Sequence, residues 1–289
     1  MLTVAMAIFG TLGPFVRNIS VSSGELALYR AILAVILLAG YLLATGQKIP
    51  FGSIRKELPL LLLSGVAIGI NWILLFEAYK YTTVSVATLS YYFAPVIVTI
   101  VCPVLFREKL TVKQIVCFIM STLGLVMITG IGDVGKSGNH HIGILFGLGA
   151  AVLYALVVLM NKFIRNVEGI HRTFIQFLAV VVTLIPYVAV TGGITLGGMS
   201  AIGWVCLFIV GFVHTGITYC LYFSALKEIS GQKAAILSYV DPLVAVAVSV
   251  AVLGETLTFW QGVGGILILG FTLWNEMSGQ KEGRKGEKT

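Results

Sequence analysis

Apolar residues run in blocks of about 20, the length a helix needs to cross roughly 30 Å of hydrocarbon, and short polar breaks separate these blocks along the whole chain. The pattern predicts helices over residues 2–16, 25–45, 58–79, 84–105, 111–130, 142–163, 172–190, 200–222, 231–252 and 259–276. The breaks GQKIPFGSIRK, REKLT, GDVGKSGNHH, RNVEGIHR and TGGITLGG combine Gly, Pro and charge where the chain is expected to leave lipid. The closing SGQKEGRKGEKT has no apolar face, so residues 277–289 are expected to form a disordered cytoplasmic tail. The opening MLTVAMAIFG has no basic leader and no small-residue cleavage site, and reads as a first helix rather than a removable signal.

Composition supports an all-α polytopic membrane protein. Of 289 residues, 58% are hydrophobic and only 11% are charged, against roughly a quarter charged in soluble domains. The net charge of +7 is spread over short breaks and the tail, so it argues for membrane orientation and not for nucleic acid. Assigning the breaks alternately to two sides places Lys48, Arg55, Lys56, Arg107, Lys109, Lys113, Lys162, Arg165, Arg172, Lys227, Lys233, Lys281, Arg284, Lys285 and Lys288 on one side, and Arg17, Lys80 and Lys136 on the other. The richer side is expected to be cytoplasmic, with both termini there and the protein multi-pass in the cytoplasmic membrane. Cys102, Cys117, Cys206 and Cys220 all fall in apolar runs and read as packed small hydrophobes.

The chain also repeats itself. Ser64 to Thr111 lies on Gly211 to Thr258 without a gap, at a shift of 147 residues that takes Lys80 to Lys227, Tyr92 to Tyr239, Pro95 to Pro242, Glu108 to Glu255, Thr111 to Thr258 and Gln114 to Gln261. Shared Leu and Ile can arise by chance in apolar sequence, whereas coincident Lys, Tyr, Pro, Glu, Thr and Gln in one register point to duplication. Five helices per half is an odd number, so the second half enters the membrane from the opposite side. The expected architecture is ten transmembrane helices in two inverted five-helix repeats, residues 1–133 and 142–276. Such repeats give two packings related by a pseudo-two-fold axis in the membrane plane, and exchanging them opens a central site to alternate sides.

The two matched segments, FEAYKYTTVSVATLSYYFAPVIVTIVCPVLFREKLT and FSALKEISGQKAAILSYVDPLVAVAVSVAVLGETLT, resemble the drug/metabolite transporter superfamily, EamA type, whose halves carry a small-residue stretch, an Ala-rich segment, a central Pro and a closing Gly-Glu. The resemblance covers nearly the whole chain. It implies a ten-helix carrier with a central cavity for amino acids, related metabolites or drugs. Arg107 departs from the pattern in the place of the Gly before Glu108, and Asp241 stands before Pro242 where the first half has Ala94.

Candidate chemistry is sparse. Asp241 comes first, because the repeat puts it beside a mid-helix proline near the bilayer centre, where a carboxylate is costly and usually functional. It suits a proton-coupled carrier or one whose cargo has an amino group. His214 falls mid-helix with Thr215, Thr218, Tyr219 and Tyr222 around it, and the shift pairs Asn71 with Thr218 and Trp72 with Tyr219, so polar and aromatic groups of both halves are expected to face a shared cavity. Tyr91, Tyr92 and Tyr239 complete the substrate-binding set. Pro95 and Pro242 each remove a backbone bond at matched points and are candidate hinges. Arg30 lies inside an apolar run and needs a partner, for which Glu77 is the first choice and Glu25 the second; an ion pair with a structural or gating role is expected there, rather than direct cargo contact. Glu108 and Glu255 are expected to cap the helices that follow them, and Gly143 and Gly147 to allow close helix packing. Trp204, Trp260 and Trp274 read as interfacial anchors.

The expected function is a secondary transporter of a small amino-acid-like or aromatic solute, working by alternating access in efflux or exchange. Phosphorylated cargo is disfavoured because no Lys or Arg falls at the presumed centre. An intramembrane enzyme acting on a lipid-linked substrate, with Asp241 and His214 as acid and base, is the alternative, but no nucleophile motif, metal set or nucleotide loop accompanies them. A passive channel would want a filter-like segment. No cofactor or metal is expected, the partners being cargo and membrane lipid with no nucleic acid, and a homodimer stays open.

Overall fold

A computed structural model describes residues 1–47, 51–106, 111–129, 140–164, 166–167, 169–226, 237 and 239–286. In chain order the helices are α1 (Leu2–Gly10), α2 (Leu12–Arg17), α3 (Ser23–Ala44), α4 (Phe51–Tyr81), α5 (Val84–Tyr91), α6 (Ala94–Phe106), α7 (Val112–Thr129), α8 (His140–Phe163), α9 (Gly169–Thr191), α10 (Ala201–Phe208), a π-helical segment (Ile209–Ile217), α11 (Thr218–Leu226), α12 (Val240–Leu253) and α13 (Phe259–Gly286). Among the described residues five apolar helices are long enough to cross a membrane and five apolar ones are shorter. Together they make ten spans in the expected order, and most of their ends fall near the expected positions.

The differences have local causes. Span one breaks at Thr11 into α1 and α2, and span four breaks at Tyr92 and Phe93 into α5 and α6. A proline cannot donate to the carbonyl four residues back and crowds it. Pro95 therefore begins a new helix in its first turn, and the Phe93 amide falls back on Ser90 O at 3.2 Å. Pro242 likewise lies in the first turn of α12 and not in mid-helix. Much of the expected start of span nine, residues 231–236 and 238, lies outside the described residues, as does Glu108. The last helix runs on to Gly286 and takes in most of the segment expected to be disordered.

Starts of helices follow ordinary capping chemistry. Ser22 and Glu25 form a reciprocal capping box on α3. Thr111 with Gln114, and its repeat mate Thr258 with Gln261, make the same exchange at α7 and α13.

Which spans touch which is the clearest sign of symmetry. Span one packs on spans eight and nine, and span six packs on spans three and four; span two meets eight and seven, span seven meets three and two, and five meets ten. Replacing every span by the one five places along turns this set of contacts into itself, as a two-fold relation between halves requires. Small residues let the contacts close. A Cβ on Gly143 would meet Thr82 Cβ at 2.7 Å and one on Gly147 would meet Ser90 Cβ at 3.0 Å, so this pair does seat α8 against span four.

Gly10, at the break in span one, gives the sharpest test. A Cβ there would lie 2.6 Å from Asp241 O and 2.7 Å from Val244 Cβ, so α1 backs directly onto the start of α12. Gly10→Val is expected to lower stability by about 1–3 kcal/mol through overpacking. Gly270→Ala, with nothing within 4 Å of the added atom, should leave the melting temperature in detergent unchanged.

Candidate functional site

Two helix breaks related by the repeat meet inside the molecule. Tyr92, in the gap between α5 and α6, donates its hydroxyl to the carboxylate of Asp241 in the first turn of α12. A helix N-terminus favours a negative group in its first turn, and here the helix begins there because Pro242 fits that turn.

Tyrosines gather around this bond. Tyr79, Tyr91, Tyr92, Tyr154 and Tyr219 stand within electrostatic reach of Asp241. Tyr91 packs edge-on against Tyr92 at 5.8 Å between ring centres and tilted against Tyr154 at 5.4 Å. Tyr154 is nonetheless 42% exposed, and Tyr91, Tyr92, Tyr219, Tyr222 and Asp241 are all half-buried.

Arg30 borders the same region. It is only 4% exposed, and Tyr79, Tyr91 and Tyr219 lie within reach of its charge as well as that of Asp241. Its Nε donates to Thr215 Oγ1 at 2.6 Å, and its guanidinium carbon lies 4.3 Å from the centre of the Trp72 ring. The π-helical segment makes this reach possible. Its widened turn lets the Thr215 hydroxyl donate to Val210 O, five residues back, while accepting from Arg30, and Gly211 and Gly216 let α3 approach through Leu33 and Leu37. Such π segments are rare and recur at functional sites.

The expected ion pairs of Arg30 are not formed. Glu77 binds Lys80 at 2.9 Å on its own helix, being a neighbour at i+3. Glu25 is taken up by the capping box and by Thr195, whose amide donates to it at 2.6 Å. A cation does lie in the interior, so the reason given for disfavouring an anionic cargo group does not stand.

Other candidates fall in different places. The Asn71 amide donates to Ala150 O at 2.6 Å, and the Thr218 hydroxyl to Val213 O at 2.6 Å, so both polar groups hold backbone. His214 hydrogen-bonds Thr11 Oγ1 at 2.9 Å, joining the break in span one to the π segment. It does not meet Asp241, so the acid and base of the enzyme alternative are each engaged elsewhere. Tyr239 is buried and lines an apolar groove with Leu89, Leu243 and Gly262.

Sequence reasoning missed Tyr79, Tyr154 and Phe177. A signal for Phe177 existed: the 147-residue shift takes Arg30 to Phe177 as it takes Trp72 to Tyr219. These four residues touch, with Phe177 packed at 5.3 Å from Trp72 and 5.2 Å from Tyr219.

A cluster of contacts ties the two halves together at one end of the molecule. Glu255 receives the amides of Val84 at 2.9 Å and Ser85 at 3.2 Å, and pairs with Arg17 at 2.9 Å, while Arg17 also donates to Thr82 O. It thus caps α5 of the other half rather than its own following helix, which Thr258 and Gln261 serve. Gly254 makes this possible by ending α12 at φ +65°, in the left-handed region. At the opposite end Glu57 accepts from Asn166 at 3.0 and 2.9 Å.

The EamA-like transporter family profile matches residues 1–130 and 141–275, one copy per half. The chain belongs to this family. It is 30% identical over 268 residues to the uncharacterized transporter YxxF of Bacillus subtilis (strain 168), covering 92% of this chain and 85% of that one. It is 29% identical over 285 residues to an uncharacterized transporter of Archaeoglobus fulgidus, covering 95% of each. A solved crystal structure superposes with a TM-score of 0.65 over 93% of each chain, at 15% identity, and shares the fold. The protein is therefore a multi-pass membrane transporter.

If the Glu255 cluster closes one end, Glu255→Gln loosens it. In a background without the native cysteines, a cysteine at Leu26, which is 3% exposed and lines the pocket beneath Arg17, should react several-fold faster with an impermeant maleimide. Equal rates would show that Glu255 only trims the helix end.

Proposed function

We propose that this EamA-family protein is a secondary carrier for a small solute with an aromatic or amino-acid-like body, and that it works by alternating access. The Tyr92 to Asp241 bond carries the reading. It joins the two halves at their matched breaks, inside a ring of tyrosines that keeps accessible surface. An amino group on the cargo competes with the Tyr92 hydroxyl for the carboxylate, and the rings provide apolar and π contact for its body. Cargo binding then changes the contact between halves, which is the coupling a carrier needs.

The tied end carries Arg17, Lys80 and Glu255, the side with few positive charges, and we assign it to the outside of the cytoplasmic membrane with both termini inside. The two halves exchange packings by rocking about Pro95 and Pro242, where the helices are already interrupted. Efflux or exchange is the direction we favour.

The test is counterflow of a radiolabelled aromatic amino acid into proteoliposomes loaded with a metabolite panel. Asp241→Asn should reduce flux about tenfold or more, as expected for losing a charge-assisted hydrogen bond of about 1.5–3 kcal/mol, and the residual flux should no longer change between acidic and neutral pH. Tyr92→Phe should weaken it less, since the carboxylate remains. Full flux with an unaltered pH profile in Asp241→Asn would remove Asp241 from both cargo binding and coupling.

A further inference from the structure

We infer that Arg30 is an anchor for a carboxylate group of the cargo. The inference rests on the carrier reading above and adds a second, oppositely charged subsite to it.

A guanidinium with 4% exposure is costly to bury unless an anion or a full set of hydrogen bonds offsets it. Arg30 has neither. Among the described residues its hydrogen bonding is limited to Nε and the Thr215 hydroxyl, and no carboxylate reaches it. The two terminal nitrogens have no acceptor, and they are not among the polar atoms sealed from solvent without a partner, so they face accessible volume.

The surrounding residues fix the group rather than neutralise it. Trp72 covers one face at 4.3 Å, Phe76 stands at 5.7 Å from the same carbon, and Thr215 holds the Nε edge. What remains open is the outer edge with its parallel N–H donors, the geometry that grips a carboxylate with two bonds. Salt-bridging arginines that serve packing usually have an acid built in. Here the acids expected to pair with it, Glu25 and Glu77, are committed to Thr195 and Lys80.

A cavity of about 350 Å³ opens below Arg17 and Lys80, lined by Ser23, Leu26, Phe76 and Tyr79. Phe76 and Tyr79 are shared between that cavity and the surroundings of Arg30.

Carboxylate fits better than phosphate. One guanidinium edge matches one negative charge, whereas a phosphate monoester carries about −1.5 to −2 at neutral pH, and Asp241 faces the same tyrosines. With Asp241 as its acid and Arg30 as its base, the lining would offer a partner to each charge of a zwitterion. The repeat mate of Arg30 is Phe177, so this subsite is present once per molecule and fixes which way round the cargo lies.

The experiment measures binding to purified protein, by calorimetry, of L-phenylalanine, 3-phenylpropionate, phenethylamine and phenyl phosphate. Wild type should bind phenylalanine and phenylpropionate. Arg30→Gln should weaken both by about tenfold to a hundredfold while leaving phenethylamine unchanged, and Arg30→Lys should recover part of the loss. Unchanged phenylalanine binding in Arg30→Gln overturns the inference and leaves the carrier reading intact. Phenethylamine bound as tightly as phenylalanine by wild type overturns it too, and this comparison decides the matter even if the variants fail to fold. Preference for phenyl phosphate, lost in Arg30→Gln, overturns the carboxylate assignment in favour of phosphate. If wild type binds none of the four, the aromatic amino-acid-like cargo class falls and the inference falls with it.

Discussion

The Tyr92 hydroxyl and the Asp241 carboxylate meet where two helices have been interrupted inside an apolar bundle, and much of the remaining structure serves to make that junction tolerable. Hydrocarbon offers no partner for a free amide or carbonyl, so irregular backbone survives at membrane depth only inside protein or beside water. Here the broken spans four and nine are enclosed by spans one and six, packed through Gly10, Gly143 and Gly147. A carboxylate in such surroundings requires a donor, which Tyr92 supplies, and its place in the first turn of α12 favours the negative charge.

A symmetric scaffold carries an asymmetric lining. The main contacts between spans map onto themselves when the halves are exchanged, yet Asp241 corresponds to Ala94, Arg30 to Phe177 and Tyr154 to Ala7. In the proposed carrier, symmetry in the packing would allow a second arrangement of comparable energy, the condition for switching. Asymmetry in the lining gives a site with one orientation. The Glu255 cluster distinguishes the two ends in the present arrangement, because it binds the start of α5 and Arg17 at one end only among the described residues.

Much of the fold was legible in the sequence. Apolar block length gave ten spans, and the 147-residue shift gave the repeat, because both depend on local pattern and on chain that must satisfy one physical rule, the lipid solvent. Partner choice was less legible. Glu77 lies one turn from Lys80, and a neighbour on the same helix wins over a distant Arg30. Glu25 closes its own capping box, a motif visible as Ser22 followed three residues later by Glu, which could have removed it from contention. The Thr215 contact was hidden because it depends on a π-helical turn, and no periodicity argument built on 3.6 residues reaches it. Asp241 and Tyr92 were each singled out, and their bond was not, since it depends on how two halves dock.

The central claim is that the halves exchange two packings around the Tyr92 and Asp241 junction. Spin labels at Ser20 and Thr256 report on the end held by Arg17 and Glu255, and labels at Thr111 and His171 report on the opposite end. Pulsed electron resonance distances in nanodiscs, with and without a transported aromatic amino acid, test it most directly. Each pair should sample a short and a long distance, and ligand should shift the two pairs in opposite directions. A single, ligand-insensitive distance at both ends would contradict it.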